Sequence, residues 1–424
     1  MPDAASVVAD AEALVSRDRL IELCSTMVSI PSPTGDELAL AERLAAEMTA
    51  VGLSGQVQPV VADMTNAHGR LTGSGGGPAL LLYAPIDTVT VGHVEDDLPW
   101  AGPELRDDMV PSAEVRAGLV IGLGAQNPKA HGACVLAAAE ALSASNAPLV
   151  GDLLIGFGGG GMPTNRRRPD LPDGHGQGCG RLVDLLRPDC AVIAKTGWAI
   201  SWEEVGLTWF EVEVGGTHTY VGSRHLLPYR NAIADAGHIV AGLERWFPEW
   251  AEEHRSGLVE PQGVVAAIQG GWPHMPAFTT ASCKFWVDLR LSPRTTGQEA
   301  AAAFRAKVEE LANEIGASVE VRQTLVIPGT TTSPDADVIR SSIRCWEQLN
   351  NAEHAPIRGT SGATDANILR ALGVPTARVG LPKVSPDKLT VDFQLGMNAV
   401  DVDDMQRLTR LLIRIAVDLC GVNA

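Results

Sequence analysis

Three charged side chains lie where a protein of alternating strands and helices usually carries its chemistry. Asp87 follows the apolar run 80–83, and Lys195 follows the apolar run 190–194. Lys129 follows a glycine-containing turn. An apolar run that ends in a polar turn predicts a buried strand, and the carboxyl ends of such strands carry the site in an open α/β sheet. A fixed ammonium there stabilises an oxyanion, whereas a carboxylate or a lysine of lowered pKa accepts a proton.

The elements that position these residues are alternating strands and helices in the two ends of the chain. The hydrophobic patterns predict strands at 79–83, 153–157, 190–194 and 377–379, and helices at 17–23, 37–51, 132–142 and 402–419. Such alternation is typical of an α/β fold, with a mostly parallel sheet covered by helices on both faces.

The middle of the chain predicts a different unit. Strand patterns occur at 208–214, 263–268, 281–291 and 318–324, and helix patterns at 231–246 and 297–315. This β-α-β-β-α-β order is typical of a ferredoxin-like α+β unit. We therefore expect a discontinuous α/β domain of residues 1–205 and 325–424, with residues 206–324 inserted as a second domain.

Composition narrows the classes of partner. The 424 residues carry a formal net charge of −18, which disfavours nucleic acid and anionic membranes as partners. The N-terminal segment lacks the pattern of a signal peptide, so we expect a cytoplasmic protein. The seven cysteines are scattered without a Cys-x-x-Cys pair, which indicates reduced thiols. The ten histidines form no His-x-x-x-His pair.

Several sequence blocks, taken together and in order, resemble one known family. They are Ile30-Pro-Ser-Pro-Thr-Gly-Asp-Glu37, the strand and turn around Asp87, and the segments 122–130, 188–197, 359–366 and 396–405. Over nearly the whole chain they resemble the co-catalytic zinc aminoacylases and peptidases, such as acetylornithine deacetylase, succinyl-diaminopimelate desuccinylase and carboxypeptidase G. The resemblance implies that the inserted domain is a lid and dimerisation domain, and that the protein is a homodimer.

The same resemblance implies a di-zinc centre, yet this chain has other residues at the ligand positions. The ligand positions and the general base of the family fall on Pro85, Asn127, residues 158–161, Lys195 and residues 396–398. Proline has no donor for a metal, and a protonated lysine repels one. Asp87 matches a residue that orients a ligand in the family. We therefore expect no metal and no cofactor, and Lys195 to lie where a zinc ion would.

Residues that hold the substrate in the family are retained. His218 matches a lid histidine that stabilises the oxyanion, although a structural histidine is the alternative. Asn231 and Arg290 match lid positions that hold a substrate carboxylate, and the alternative for Arg290 is an ion pair with Asp288 or with a glutamate of the lid. The family also has a loop of small residues that contacts the substrate, and it matches residues 359–365 here. In this loop Thr360, Ser361 and Thr364 would donate hydrogen bonds from their hydroxyls, and Asp365 would organise the loop.

The glycine-rich segment 158–180 admits two interpretations. It contains residues 158–161, which are all glycine, and the arginine run 166–168. One interpretation is a flexible loop. The other is a strand end whose backbone N–H groups and arginines bind an anionic substrate.

These observations lead to a first functional hypothesis and its rivals. The first is a metal-independent hydrolase of a C–N bond in a small carboxylate-bearing substrate, in which Lys195 and His218 stabilise charge and Asp87 or Lys129 is the general base. The second is a non-catalytic relative that binds a small ligand or another protein. A lyase or isomerase, or a metallohydrolase with unrecognised ligands, is the third.

Overall fold

The computed structural model describes residues 3–166, 171–384 and 397–422, apart from the side chain of Trp100. Arg167 and Arg168 of the arginine run lie outside the described residues, as does Gly396 of the C-terminal block. Among the described helices, none combines the length and apolar character that a bilayer crossing requires.

The helices and strands alternate along much of the chain. The helices are α1 (Ala4–Ala13), α2 (Arg17–Ser29), α3 (Leu38–Ala50), α4 (Val94–Ala101), α5 (His131–Ala144), α6 (Gln177–Leu186), α7 (Ala232–His254), α8 (Gly297–Ile315), α9 (Asp337–Asn350), α10 (Ala366–Ala371) and α11 (Val402–Cys420). The strands are β1 (Gln56–Val61), β2 (Met64–Leu71), β3 (Leu80–Pro85), β4 (Glu114–Arg116), β5 (Leu119–Ile121), β6 (Leu153–Gly158), β7 (Cys190–Ala194), β8 (Glu203–Glu204), β9 (Gly206–Gly215), β10 (Gly263–Gly270), β11 (Ser282–Leu291), β12 (Val319–Ile327), β13 (Thr330–Thr331), β14 (Thr376–Val379) and β15 (Ala399–Asp401).

The larger of two compact units comprises residues 1–202, 332–356 and 364–424. Its main sheet has the strand order β1-β2-β6-β3-β7-β14. The strands β6, β3, β7 and β14 are parallel, whereas β1 and β2 join antiparallel at one edge. Parallel pairing aligns the carboxyl ends of β3, β6 and β7 at one edge of the sheet.

Both faces of this sheet are covered by helices, because its strands are apolar on both sides. In β3, Leu80 and Leu82 belong to a core that includes α5 and α11, whereas Leu81 and Tyr83 face α6 and α10. This alternation follows from the two-residue period of a strand. The predicted α/β class, with a mostly parallel sheet between helices, is confirmed.

The second unit comprises residues 203–331 and 357–363. Its four-stranded antiparallel sheet has the order β10-β11-β9-β12, and α7 and α8 pack against one face of it. Phe210 of β9 stacks on Phe304 of α8 with ring centroids 4.2 Å apart. The strand and helix order is the predicted ferredoxin-like one. The unit extends to Thr331 because the short β8 and β13 strands pair.

Lys129 connects two elements of the larger unit. Its Nζ donates hydrogen bonds to the carbonyl oxygens of Met27 and Ile30, both at 2.7 Å. These carbonyls lie at the end of α2, where a helix leaves its backbone acceptors unsatisfied. Burial lowers the pKa of Lys129 to about 7. These contacts favour a structural role for Lys129 over that of a general base.

Replacing Lys129 with methionine is expected to lower the free energy of unfolding by about 2–4 kcal/mol, because the carbonyl oxygens of Met27 and Ile30 each lose a hydrogen bond from the ammonium. Urea denaturation measures the change. Lys307→Met is the matched control, because Lys307 makes a partly exposed ion pair with Glu310, which is worth roughly 0–1 kcal/mol. Equal, small effects of the two substitutions would contradict the structural role of Lys129.

Candidate functional site at the carboxyl ends of the parallel strands

Asp87 is fully buried just beyond the end of β3. Its Oδ2 accepts hydrogen bonds from the Thr34 hydroxyl at 2.7 Å and from the Met162 N–H at 2.9 Å. Its Oδ1 accepts from the Gly161 N–H at 3.0 Å. Asp87 therefore lies at the end of the strand, as predicted. Both of its carboxylate oxygens accept hydrogen bonds from the segment that follows β6.

The glycine segment after β6 is bound by the protein's own side chains. The Gly159 N–H donates to Oδ1 of Asn66, and the Gly160 N–H donates to Oε1 of Glu37, both at 2.9 Å. With the two bonds to Asp87, the four successive N–H groups of residues 159–162 all have acceptors. An anion-binding role for these N–H groups, one of the two predicted interpretations, is therefore disfavoured, because the donors are already used.

Glycine is required in this segment by close packing. A Cβ at Gly158 would lie 2.0 Å from the hydroxyl oxygen of Tyr83. A Cβ at Gly161 would lie 2.7 Å from Oδ2 of Asp365. The Tyr83 hydroxyl itself donates to Oδ2 of Asp365 at 2.5 Å. The buried Tyr83–Asp365 pair thus leaves no room for side chains at positions 158 and 161. The same hydrogen bond holds the end of the 359–366 loop, which Asp365 was predicted to organise.

Glu37 is the second buried carboxyl group of this site. Besides the bond from Gly160, its Oε1 accepts from the Gly35 N–H at 2.9 Å. Its Oε2 is buried and has no hydrogen-bond partner among the described residues. Burial and then the negative charge of Asp87 raise the pKa of Glu37 to about 8. Glu37 therefore holds a proton at neutral pH, which keeps two adjacent buried carboxyls from both being ionised.

Lys195 follows β7 and is 8% exposed. Its neighbour His131 lies at the start of α5, where Nε2 accepts a hydrogen bond from the Leu381 N–H at 3.1 Å. Burial and the positive charges of Lys195 and Arg378 lower the pKa of His131 to about 3. Two cationic side chains, Lys195 and Arg378, therefore lie near a neutral imidazole at the ends of β7 and β14.

The residues that the structure describes do not fit the di-zinc centre that the resemblance implies. Within the described parts of the chain, no three His, Cys, Asp or Glu side chains are grouped so that they could hold a metal ion. Asn127 has a buried amide oxygen with no partner among the described residues, but it stands alone. Asn398 accepts from the Gly124 N–H and donates to Asp108. Neutral amides and an ammonium are poor substitutes for the carboxylate and imidazole ligands of zinc.

The predicted lid residues lie in the second unit, where His218 is exposed. Its Nδ1 lies 2.7 Å from the carbonyl oxygen of Thr279, and its ring stacks on Phe278 at 5.6 Å. Because a carbonyl only accepts, Nδ1 carries a hydrogen. Nε2 then acts as a donor only when the imidazole is protonated, which is the form that an oxyanion would need.

Arg290 and Asn231 make local contacts. Nε of Arg290 lies 2.8 Å from Oδ1 of Asp288, and its Nη2 donates to Oδ2 at 2.9 Å. This pair is the alternative that the sequence left open for Arg290. Asn231 is the N-cap of α7, and its side-chain oxygen accepts from the Ile233 N–H at 3.1 Å. A substrate carboxylate would have to compete with these contacts.

The predicted substrate loop is divided between the two units. Thr360 and Ser361 belong to the second unit, whereas Thr364 belongs to the first. The Thr360 hydroxyl donates to the carbonyl of Leu258 at 3.3 Å, and Thr364 accepts from the Ala366 N–H at the start of α10. The Ser361 hydroxyl is buried and has no partner among the described residues.

Sequence reasoning missed several residues of this site. Glu37 was visible only as part of the opening motif, and His131 only as one of ten histidines without metal-ligand spacing. Asn66 and Tyr83 gave no signal, because each lies within a strand where a buried polar side chain looks like any other strand residue. Their partners come from distant parts of the chain, so only the fold brings them together.

Comparisons with known proteins place this architecture among hydrolases. No family model matches the chain. In sequence, the chain is 23% identical to N-formyl-4-amino-5-aminomethyl-2-methylpyrimidine deformylase of Bacillus subtilis over 316 residues, 70% of this chain and 68% of that protein.

The structural likenesses cover nearly the whole chain. Human carnosine dipeptidase 1 is similar with a TM-score of 0.71 at 13% identity, over 98% of both chains. The M20 family metallo-carboxypeptidase Sso-CP2 of Sulfolobus solfataricus is similar with a TM-score of 0.68 at 13% identity, over 95% of this chain and 98% of that one. The chain thus has the M20 peptidase fold, which is the fold that its sequence blocks predicted.

Proposed function

We propose that this chain is a metal-independent hydrolase of amide bonds in a small, carboxylate-bearing substrate. The relatives named above are a deformylase, a dipeptidase and a carboxypeptidase, which supports a reaction at an amide carbonyl. The observation that carries the proposal is the position of two cationic side chains, since Lys195 just beyond β7 is 8% exposed and Arg378 near the end of the neighbouring strand β14 is 9% exposed. Positive charge at low solvent exposure suits both a substrate carboxylate and an oxyanion.

In the proposed reaction, water adds to the amide carbonyl carbon and the oxyanion forms beside the Lys195 ammonium. The C–N bond then breaks as a proton passes to the nitrogen, giving a carboxylic acid and an amine. An ammonium stabilises the oxyanion, but it does not generate hydroxide at neutral pH as a zinc-bound water does. The proposed substrates are therefore activated amides, with N-formyl compounds first among them.

A second candidate is a non-catalytic relative that binds a small ligand. The observation that favours it is the internal use of the candidate catalytic groups. Both oxygens of Asp87 hold backbone N–H groups, and Lys129 holds the end of α2. Asp87 and Lys129 were the two side chains predicted as general base. With both used in structural contacts, the proposed reaction has no assigned general base.

We also propose that the second unit forms a homodimer interface along β10. This strand lies at an edge of the four-stranded sheet, so its outer backbone groups have no neighbouring strand among the residues that the structure describes. Val264 and Ile268 on it are 46% and 55% exposed. Large apolar side chains are also exposed in the segment that follows, namely Trp272, Met275 and Phe278. Such a combination is typical of a protein–protein surface.

Lys195→Met is expected to lower kcat/KM by about 100-fold or more, because the charge that stabilises the oxyanion is lost. Hydrolysis of N-formyl, N-acetyl and N-carbamoyl amino acids measures this, and Lys195→Arg should keep part of the activity. Lys307→Met, on α8 of the second unit, is the control for loss of a lysine. Undiminished activity of Lys195→Met would overturn the role of Lys195. Carboxylates that bind without turnover of any amide would favour the non-catalytic candidate.

Glu37→Gln is expected to flatten the pH dependence of stability. The pKa of Glu37 is raised from 4.5 to about 8, so the folded state retains a proton that the unfolded state releases between these values. Stability from Glu37 is therefore present below pH 4.5 and is lost as the pH rises to about 8, on the order of a few kcal/mol.

Urea denaturation at pH 5 and pH 8 measures this loss in the wild type and in Glu37→Gln. Asp36→Asn is the matched control, because Asp36 is exposed beside Glu37. A Glu37→Gln variant that keeps the full pH dependence of the wild type would show that Glu37 is already ionised at pH 5.

Ile268→Lys is expected to dissociate the proposed dimer, because it places a charge in the centre of an apolar edge strand. Sedimentation velocity of the wild type and the variant gives the two masses. Val57→Lys, on the edge strand β1 of the other unit, is the control. A monomeric wild type would overturn the proposed interface.

A further inference from the structure

We propose that a groove between α7 and α8 binds an aliphatic polyamine, an organic cation with at least two ammonium groups. The groove lies wholly within the second unit and encloses about 590 Å³. It is separate from the residues to which the hydrolase activity is assigned. Its walls, its free charges and its hydrogen-bonding groups each favour a cation that donates hydrogen bonds.

The walls of the groove are aromatic on one side and small on the other. Trp246, Trp250 and His254 recur at every fourth residue of α7, which places them along one face of the helix. Ala303 and Ala306 of α8 lie opposite and leave the space open. Trp246 is half-buried, and an indole face attracts a cation more strongly than other aromatic rings do.

The two cationic side chains that line the groove both form ion pairs with glutamates. Lys307 pairs with Glu310 at 3.0 Å, and Arg294 pairs with the buried Glu203. Glu249 and Glu253 also line the groove, and neither makes an ion pair or a side-chain hydrogen bond within the described part of the chain. The charges left for a ligand are thus negative.

The spacing of these two carboxylates suits a chain with two charges. Residues four apart on a helix have Cβ atoms about 5–6 Å apart, so Glu249 and Glu253 lie one above the other along α7. Neighbouring ammonium groups of a four-carbon diamine have a comparable separation. An extended polyamine lying along α7 would therefore place one ammonium at each carboxylate, with its methylene groups against Trp246.

His254 adds an acceptor at the far end of the groove. Its Nδ1 lies 3.1 Å from the carbonyl oxygen of Trp250, and its ring stacks on the Trp250 indole with centroids 3.6 Å apart. The carbonyl contact assigns the hydrogen to Nδ1, so Nε2 of the neutral ring is an acceptor. An amine that donates a hydrogen bond fits Nε2 of the neutral ring.

Isothermal titration calorimetry of the full chain with spermidine tests the proposal. One saturable site is expected, and the isosteric double variant Glu249→Gln, Glu253→Gln should weaken its affinity at least tenfold. The double variant Glu309→Gln, Glu320→Gln is the matched control. It removes the same charge from exposed positions of the same unit outside the groove, and its affinity should equal that of the wild type.

This control variant distinguishes binding of spermidine in the groove from diffuse attraction of a cation to a protein of net charge −18. Equal weakening in both double variants would assign the binding to the overall charge and overturn the proposal. Absence of binding at millimolar spermidine would also overturn it. Neither result depends on amide hydrolysis, which is measured separately.

Discussion

The arrangement of the strand ends depends on four backbone N–H groups that follow β6 and need acceptors. The segment 159–162 lies at the edge of an apolar core, where an unsatisfied N–H group costs roughly 1–3 kcal/mol. Asn66 from β2, Glu37 from the start of α3 and Asp87 from the end of β3 supply the acceptors. These three side chains therefore fix the positions of three neighbouring elements relative to β6. The same contacts leave Glu37 and Asp87 side by side, and burial together with the negative charge of Asp87 raises the pKa of Glu37.

This constraint also explains why the carboxylates of the strand end are not arranged as a metal site. Each of them faces the backbone of the glycine segment, and the Tyr83–Asp365 pair fills the space into which side chains at 158 and 161 would project. The cationic side chains of Lys195 and Arg378 lie near the ends of β7 and β14, where both lower the pKa of His131. The proposed hydrolase would use this positive charge to stabilise an oxyanion, and that proposal implies a substrate whose carbonyl is already activated.

The sequence predicted the architecture well, because burial patterns are local. The strand Cys190–Ala194 and the helix Gly297–Ile315 occur at the predicted residues. The helix α7 was predicted to end at Trp246, before Pro248, but it continues to His254. Burial of Phe247 and Trp250 against the sheet of the second unit outweighs the cost of the proline in the helix.

The site was less predictable than the fold, because its contacts join distant segments. The position of Asp87 at a strand end was read from one apolar run. Its engagement by Gly161 and Met162 depends on parallel pairing of β3 with β6, which no local pattern contains. Lys129 looked like a site residue by its place in a motif, whereas its actual partners are the carbonyls at the end of α2.

The most direct test of the central claim is the metal content of the protein. The chain would be produced with zinc, manganese and cobalt in the medium, purified without chelator and measured by inductively coupled plasma mass spectrometry. The account predicts less than about 0.1 equivalent of any of these metals, since a site with three or four protein ligands is needed to retain one. Retention of about one or two equivalents through purification would contradict it, and would indicate that the protein is a metal-dependent hydrolase.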